Sequence, residues 1–370
     1  MRFRIPCLAV LIFLSAPLLA QEAEPQTEAK PLSLRSIDME RSEEKVRIHM
    51  MTTEGRALYP ATADLLEKKL VEEPNDLDSR LQLLGYYKGK MNEKLFALRK
   101  KHILWFIENR PSDAVFATSY VQVDRRFEDE SYAEAMKLWD AQIEKHPKDP
   151  SILSNAARFA LRNDREVAIR YLVRAKELEP EAPEWARRLA GVYELTAFFG
   201  RSKPGSPVRT SIYEEWKLVH KLTKDPLDLQ RQYPKLALTA MWAQDFEAAR
   251  GWAEKALASV ETLKTKNLHG EAVHDGNTVL GRLALREGDV EEAKRRLLAA
   301  GETIGSPTLN TFGPNLILAE RLAAAGQSET VIAYLELCKK YWVGHRDRIA
   351  EWIQILKEGD TPHFGNNRLI

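Results

Sequence analysis

The segment HGEAVH brings two histidines and a carboxylate together in the sequence, because His269 and His274 flank Glu271 there. A zinc-protease helix places its two histidines four residues apart, so that both face one metal ion. Here the histidines are five residues apart, and the additional residue turns the second ring by about 100° around a helix. The spacing therefore favours a solvated helix start. The remaining histidines stand singly, and the sequence suggests no bound metal or cofactor.

A second candidate for chemistry is the basic segment FFGRSKPGSPVRTS, residues 198–211. Arg201, Lys203 and Arg209 could present positive charge to an anion, but the glycines lack the spacing of a phosphate-binding loop and no strand precedes them. The prolines and glycines favour an exposed loop insert instead. No G-x-S-x-G or cysteine–histidine signature of a nucleophilic enzyme appears either. We therefore expect a non-catalytic protein.

The composition is that of a soluble globular protein. The chain has 370 residues, of which 44% are hydrophobic and 29% charged, and its formal net charge is +1. This near balance supplies no strong field that would attract nucleic acid or an anionic membrane surface. We therefore do not expect nucleic acid as a partner.

The first twenty residues have the features of a secretory signal peptide. Arg2 and Arg4 precede the short apolar run IPCLAVLIFLSAPLL, and Ala20 stands before the polar stretch QEAEPQTEAK. The apolar run is too short, and too interrupted by proline, for a stable membrane span. We expect cleavage after Ala20, an acidic unstructured leader over residues 21–37, and no stable membrane insertion of the mature chain.

The cysteines bear on where the protein works. Cleavage would remove Cys7 and leave Cys338 as the one cysteine of the mature chain. A single cysteine cannot form an intramolecular disulfide, so packing must hold the exported chain together. This favours the periplasm or the exterior of a bacterium over a eukaryotic secretory route. We expect Cys338 to be a small buried side chain rather than a reactive thiol.

The rest of the sequence has the periodicity of α-helices, and no alternating segment predicts a strand. The clearest unit is ILSNAARFALRNDREVAIRYLVRAKELEP, in which Ile152, Ala156 and Phe159 mark one helix and Ala168 and Leu172 the next. Small residues stand where two helices would cross closely, and larger ones fill the space between. This pattern resembles the tetratricopeptide repeat (TPR). The resemblance implies an all-α, right-handed superhelical solenoid of antiparallel helix pairs.

The TPR-like domain is predicted to span residues 38–360. The units at 149–180 and 234–342 fit the pattern best, whereas those at 60–148 are more degenerate. A final amphipathic helix, RDRIAEWIQILKEG, should cover the open apolar face of the last unit. Residues 361–370 are expected to form a tail.

The unit LGRLALREGDVEEAKRRLLAAG shows how the pattern assigns roles to single residues. Gly281 and Ala293 are predicted to lie where helices cross. Gly288 suits the end of the first helix in the left-handed conformation, and Asp289 can cap the second helix, with Glu292 completing a capping box.

In TPR-like solenoids the first helices line a concave face that binds proteins or peptides. Residues that flank the packing positions on those helices are the candidate partner contacts: Tyr86, Arg187, Arg231, Trp242, Arg282 and Arg286. Arginines beside an aromatic residue would suit an acidic, extended ligand. They could equally be ordinary exposed polar residues, with Trp242 packed under the insert.

The resemblance therefore implies an exported, non-catalytic scaffold or adaptor that binds a protein or peptide in its concave groove. The alternative is an envelope enzyme or small-molecule-binding protein that uses the groove, with residues 198–211 as a lid. A closed pocket with titratable groups in hydrogen-bond reach would favour the alternative, and an open groove with dispersed polar residues would favour the scaffold.

Overall fold

The computed structural model describes residues 34–90, 92–264 and 269–368, and none of these residues lies in a β-strand. The predicted signal peptide and residues 21–33 of the predicted leader lie outside the described residues. The α-helices are α1 (Leu34–Arg56), α2 (Pro60–Glu72), α3 (Leu77–Tyr87), α4 (Glu93–Asn109), α5 (Asp129–Lys145), α6 (Pro150–Ala160), α7 (Arg165–Leu178), α8 (Pro183–Phe199), α9 (Pro207–Leu222), α10 (Pro226–Ala243), α11 (Phe246–Ala258), α12 (Val260–Lys264), α13 (Gly270–Glu287), α14 (Val290–Gly301), α15 (Pro307–Phe312), α16 (Ile317–Ala324), α17 (Ser328–Cys338) and α18 (Arg346–Lys357). The all-α prediction is confirmed for this part of the chain.

Consecutive helices pack as hairpins, and each hairpin contacts the next along the chain. The pairs are α6 with α7, α8 with α9, α10 with α11, α13 with α14, and α16 with α17. Contacts between pairs join α7 to α8, α9 to α10, α11 to α13, and α14 to α16 and α17. Ala156, Phe159 and Ala168, which the sequence placed at packing positions, are fully buried.

Local chemistry sets the helix ends much as the sequence predicts. Gly288 ends α13 in the left-handed conformation with φ of 87°, and the Asp289 side chain accepts a hydrogen bond from the Glu292 N–H at the start of α14. The capping box is not completed, however. The Asp289 N–H donates to the Ala284 carbonyl, and the Glu292 carboxylate binds Arg296 instead.

The crossing predicted in this unit is close. A Cβ atom on Gly281 would lie 2.5 Å from Leu318 Cδ2 and 3.4 Å from the Ala293 carbonyl oxygen. Ala293 itself is fully buried. Glycine and alanine at these positions therefore let α13 approach both α14 and α16.

Replacing Ala293 by leucine is expected to lower the free energy of unfolding by about 1–3 kcal/mol, because the added atoms overpack this crossing. The matched control is Ala141→Leu, at an exposed position of α5, which should change it by less than about 0.5 kcal/mol. Urea denaturation of the two variants measures both values. Equal stability of the two variants would show that α13 and α14 do not cross at Ala293.

The segment 198–211, predicted as a loop, is half helical. Helix α8 extends to Phe199 and α9 begins at Pro207, so that only residues 200–206 connect them. Proline suits the first turn of a helix because its φ is already helical and it needs no N–H partner there. The proline at 207 therefore marks the start of a helix that pairs with α8.

The first helix also departs from the prediction. Helix α1 begins at Leu34, inside the stretch predicted as leader, and packs against α3. A Cβ atom on Gly85 would lie 2.1 Å from the Thr52 carbonyl oxygen, and one on Gly55 would lie 2.0 Å from the Gln82 carbonyl oxygen. The backbones of α1 and α3 therefore touch at two glycines.

At the C-terminal end, both helix α18 and the residues that follow it pack against the rest of the protein. Helix α18 packs its apolar side chains, among them Trp352, against the preceding hairpin, as the predicted capping helix should. The tail is not free, because Phe364 is fully buried and the Asn367 side chain donates to the Phe312 carbonyl. Cys338 is buried as predicted, and burial raises the pKa of its thiol to about 12.

Candidate functional site

The best candidate site is a groove of about 560 Å³ between the hairpins, a volume typical of ligand sites. Its walls come from α8, α9, α10 and the start of α13, and α15 with the residues after it closes one end. The lining residues are Arg187, Trp216, Asp228, Arg231, Gln232, Pro234, Lys235, Leu238, Glu271, Asp275, Thr308, Leu309, Gly313 and Asn315. We call this surface the central groove.

One side of the central groove is basic. Arg187 on α8 and Arg231 and Lys235 on α10 lie there. Arg231 makes a salt bridge of 3.4 Å with Asp228, and both side chains are more than half exposed. Such pairs stabilise a protein by little, so Arg231 remains available to a ligand.

The opposite side is acidic and is held in place by hydrogen bonds. Glu271 accepts a hydrogen bond from the Ser306 hydroxyl at 3.1 Å. Asp275 Oδ1 lies 2.7 Å from His274 Nδ1. These carboxylates stand four residues apart on α13 and so face the groove together. Sequence reasoning treated HGEAVH only as a metal motif and missed this acidic wall.

Arg187 and Arg231 are the two sequence-predicted contacts that line the central groove. Both side chains are exposed. Tyr86, predicted as a third, is buried in the cluster between α2, α3 and α4, with Lys90 Nζ 3.2 Å above its ring. The spacing of the residues on α3 predicted that this face is exposed, but neighbouring side chains cover it.

Trp242 is packed beneath the segment that connects α8 to α9. The Gly205 N–H donates to the Trp242 carbonyl at 2.7 Å, and the Arg209 guanidinium lies 4.7 Å from the ring centroid. Only 7% of Trp242 is exposed. The sequence left two interpretations of Trp242 open, a partner contact or packing under the insert. The geometry matches packing under the insert.

The last two predicted contacts lie one turn apart on α13 in different environments. Arg286 is exposed and its guanidinium stacks 4.0 Å from the Phe246 ring centroid. Arg282 is only 3% exposed. Neither lines the central groove.

The histidines of HGEAVH are not solvated, contrary to the sequence-based expectation. His274 is fully buried, and its Nε2 lies 3.1 Å from the Tyr334 hydroxyl of α17. His269 is 8% exposed. Within the described ranges, no three histidine, cysteine or carboxylate side chains come close enough to hold a metal ion.

A buried polar cluster joins α2, α3 and α4 away from the groove. Glu67 Oε1 accepts from the Tyr87 hydroxyl at 2.9 Å and lies 2.8 Å from His102 Nε2, while Arg80 Nη1 lies 3.3 Å from His102 Nδ1. An arginine can only donate, so Nδ1 accepts and Nε2–H donates to Glu67. His102 is fully buried, so the cluster positions three helices and does not reach a ligand.

This cluster predicts acid sensitivity. Burial alone would raise the pKa of Glu67, but His102, Tyr87 and Lys101 outweigh it and lower that pKa from 4.5 to about 2. Burial lowers the pKa of His102 below 6.5. The contribution of His102 to stability is therefore complete above pH 6.5 and is lost below it, and that of Glu67 is complete above pH 4.5 and is lost as the pH falls towards 2.

Denaturation of the wild type and of Glu67→Gln at several pH values tests this assignment. The stability difference between them should be largest near pH 7 and should shrink as the pH falls below 4.5. Glu72→Gln, at an exposed site on the same helix, should show no such trend. A difference for Glu67→Gln that does not vary with pH would contradict the assignment.

Among the described residues, no helix combines the length and the apolar character needed to cross a bilayer. No protein-family model matches the chain, and no curated protein matches it either.

Proposed function

We propose that this protein is an exported, non-catalytic scaffold, a right-handed TPR-like solenoid that binds an extended polypeptide segment in its central groove. The single observation that carries the proposal is the groove itself, which runs across successive hairpins and has a basic side and an acidic side.

The order of the hairpins supports the solenoid. In such folds each unit contacts only its neighbours along the chain, and the first helices of successive units form one continuous surface. Helices α8, α10 and α13 are the first helices of their hairpins, and all three line the groove. The signal-peptide pattern in the sequence supports export to the periplasm or exterior of a bacterium.

The chemistry of the groove suits a polypeptide. Pro234, Leu238 and Leu309 add apolar atoms to the lining of the groove. An extended segment could place an acidic side chain near Arg187 and Arg231 and a basic one near the carboxylates of α13. The sequence alone suggested an acidic ligand. Because one wall of the groove is acidic, we instead expect a ligand that carries both negative and positive side chains.

The groove gives less support to the alternative, an enzyme or small-molecule-binding protein with a lid. No residue of the segment 198–211 is among those that line the groove. In that segment, the Gly205 N–H donates a hydrogen bond to the Trp242 carbonyl near the end of α10. Glu271 binds the Ser306 hydroxyl, which also caps the start of α15. Asp275 lies beside the buried His274, whose other ring nitrogen faces Tyr334, so these contacts hold both carboxylates in place.

A peptide library tests the proposal. Random twelve-residue peptides are selected on the purified chain, and the dissociation constants of the selected peptides are measured by fluorescence anisotropy. The double variant Arg187→Glu/Arg231→Glu should weaken binding at least tenfold. Replacing the acidic residues of a selected peptide with lysine should restore part of its affinity for this double variant.

The matched control is Arg126→Glu/Arg295→Glu, which makes the same charge change at two exposed sites outside the groove. It should leave the dissociation constants within twofold of wild type. Equal affinity of the selected peptides for both double variants would refute the groove as the binding site.

A further inference from the structure

Arg282 is a buried cation without a partner. Its side chain lies on α13 with 3% of the residue exposed, and its Nε and Nη1 atoms are fully buried and make no hydrogen bond to any of the described residues. No salt bridge joins it to a carboxylate in the described ranges of the chain. Arginine stays protonated in proteins, so this charge is not removed by deprotonation.

A second unpartnered polar group lies one turn away. The Thr278 hydroxyl is fully buried and, within the part of the chain that the structure describes, makes no hydrogen bond, although threonines inside helices usually donate to a carbonyl of the preceding turn. Residues four apart on a helix are neighbours, with Cβ atoms about 5–6 Å apart. The hydroxyl of Thr278 and the guanidinium of Arg282 therefore lie on the same face of α13.

The surroundings of Arg282 add positive charge. Burial, followed by repulsion from Arg321 on α16 and Arg209 on α9, lowers the pKa of Arg282 to about 9. Arg209 donates its Nε–H to the Ser202 hydroxyl, and its guanidinium stacks on Trp242. Arg209 and Arg321, which belong to two other hairpins, are therefore near enough to act electrostatically on Arg282.

We propose that Arg282 and Thr278 form a binding site for an oxyanion, a carboxylate or a phosphate group, with Arg209 and Arg321 supplying additional positive field. A guanidinium binds such groups through paired hydrogen bonds, and a hydroxyl donates a further one. An unpaired buried charge is costly, and a bound anion would remove that cost. The inference goes beyond the proposed function, because neither Thr278 nor Arg282 is among the residues that line the central groove, although Thr278 stands three residues beyond Asp275 on α13.

Titration with inorganic phosphate and with acetate tests this proposal. The thermal midpoint of the full chain is followed while sodium chloride keeps the ionic strength constant. At least one oxyanion should raise the midpoint with saturation, and the Nε nuclear magnetic resonance signal of Arg282 should shift over the same concentration range. The probe that saturates at the lower concentration identifies the class of anion.

Variants assign the effect to the site. Arg282→Gln and Thr278→Val should each weaken the apparent affinity, the first at least tenfold. Arg286→Gln removes the same charge one turn further along α13 at an exposed position and should bind as the wild type does. An equal midpoint response in Arg282→Gln and the wild type, or no response of the Arg282 signal to either anion, would overturn the proposal.

The test is independent of the peptide experiment. Phosphate or acetate binding that depends on Arg282 would stand even if the groove variants left peptide affinity unchanged. Conversely, peptide binding in the central groove would not support the oxyanion site if Arg282→Gln left the response to phosphate and acetate unchanged.

Discussion

Replacing Arg282 by methionine should raise the free energy of unfolding of the anion-free chain by about 1–4 kcal/mol, the gain typical of exchanging buried ionic groups for apolar ones. The guanidinium is buried without a hydrogen-bond partner for Nε or Nη1, and two other arginines repel it. Methionine keeps much of the length of the side chain and has no charge to desolvate. A residue that lowers the stability of the fold when no ligand is bound is typical of a binding site.

Urea denaturation in a Tris chloride buffer measures this gain. Adding inorganic phosphate should reduce it, because phosphate would stabilise only the wild type. Arg286→Met, at the exposed neighbouring position, should change stability by less than about 0.5 kcal/mol. A destabilised Arg282→Met variant would mean that the arginine has a stabilising role within the fold.

Trp139 lies on α5, which contacts α6, the first helix of the most strongly patterned unit. Trp139 on α5 is fully buried, with ring centroids 4.7 Å from Phe116 and 6.2 Å from Phe159. Trp139→Ala should lower the free energy of unfolding by about 3–5 kcal/mol, through lost burial and the cavity left behind.

Two comparisons make the Trp139 result specific. Trp139→Phe should cost much less, because it keeps most of the aromatic packing and removes an indole N–H that has no partner. Phe127→Ala, at a residue 61% exposed, should change stability by less than about 0.5 kcal/mol. If Trp139→Ala were as mild as Phe127→Ala, the tryptophan would not form the centre of this packing.

The fold was largely predictable because helix pairing leaves a local signature in the sequence. Small residues such as Ala168 and Gly281 recur at fixed offsets from larger ones, and Asp289 follows Gly288 at a helix boundary. The predicted helical domain begins at residue 38, four residues after the start of α1, and the pairing of α1 with α3 was not predicted. That pairing depends on backbone contacts at Gly55 and Gly85, which have no periodic pattern. The start of α9 was missed because prolines and glycines occur in loops and in helix first turns alike.

The site was less predictable, because spacing shows which residues share a helix face but not what covers that face. Arg187 and Arg231 are exposed in the groove, whereas Trp242 lies under a connection that the sequence could not place. Arg282 and Arg286 are one turn apart, yet only Arg282 is buried. Such differences come from the neighbouring hairpins and not from the helix itself.

Photo-crosslinking in the cells that make the protein tests whether the central groove holds a polypeptide. A photoreactive amino acid replaces Arg231 in the central groove in one variant and Glu329, an exposed residue of α17, in the other. We expect a discrete, protease-sensitive polypeptide adduct at position 231 and none at 329, with the adduct reduced by Arg187→Glu. Adducts of equal yield at both positions, or none at 231, would contradict a groove that holds a polypeptide.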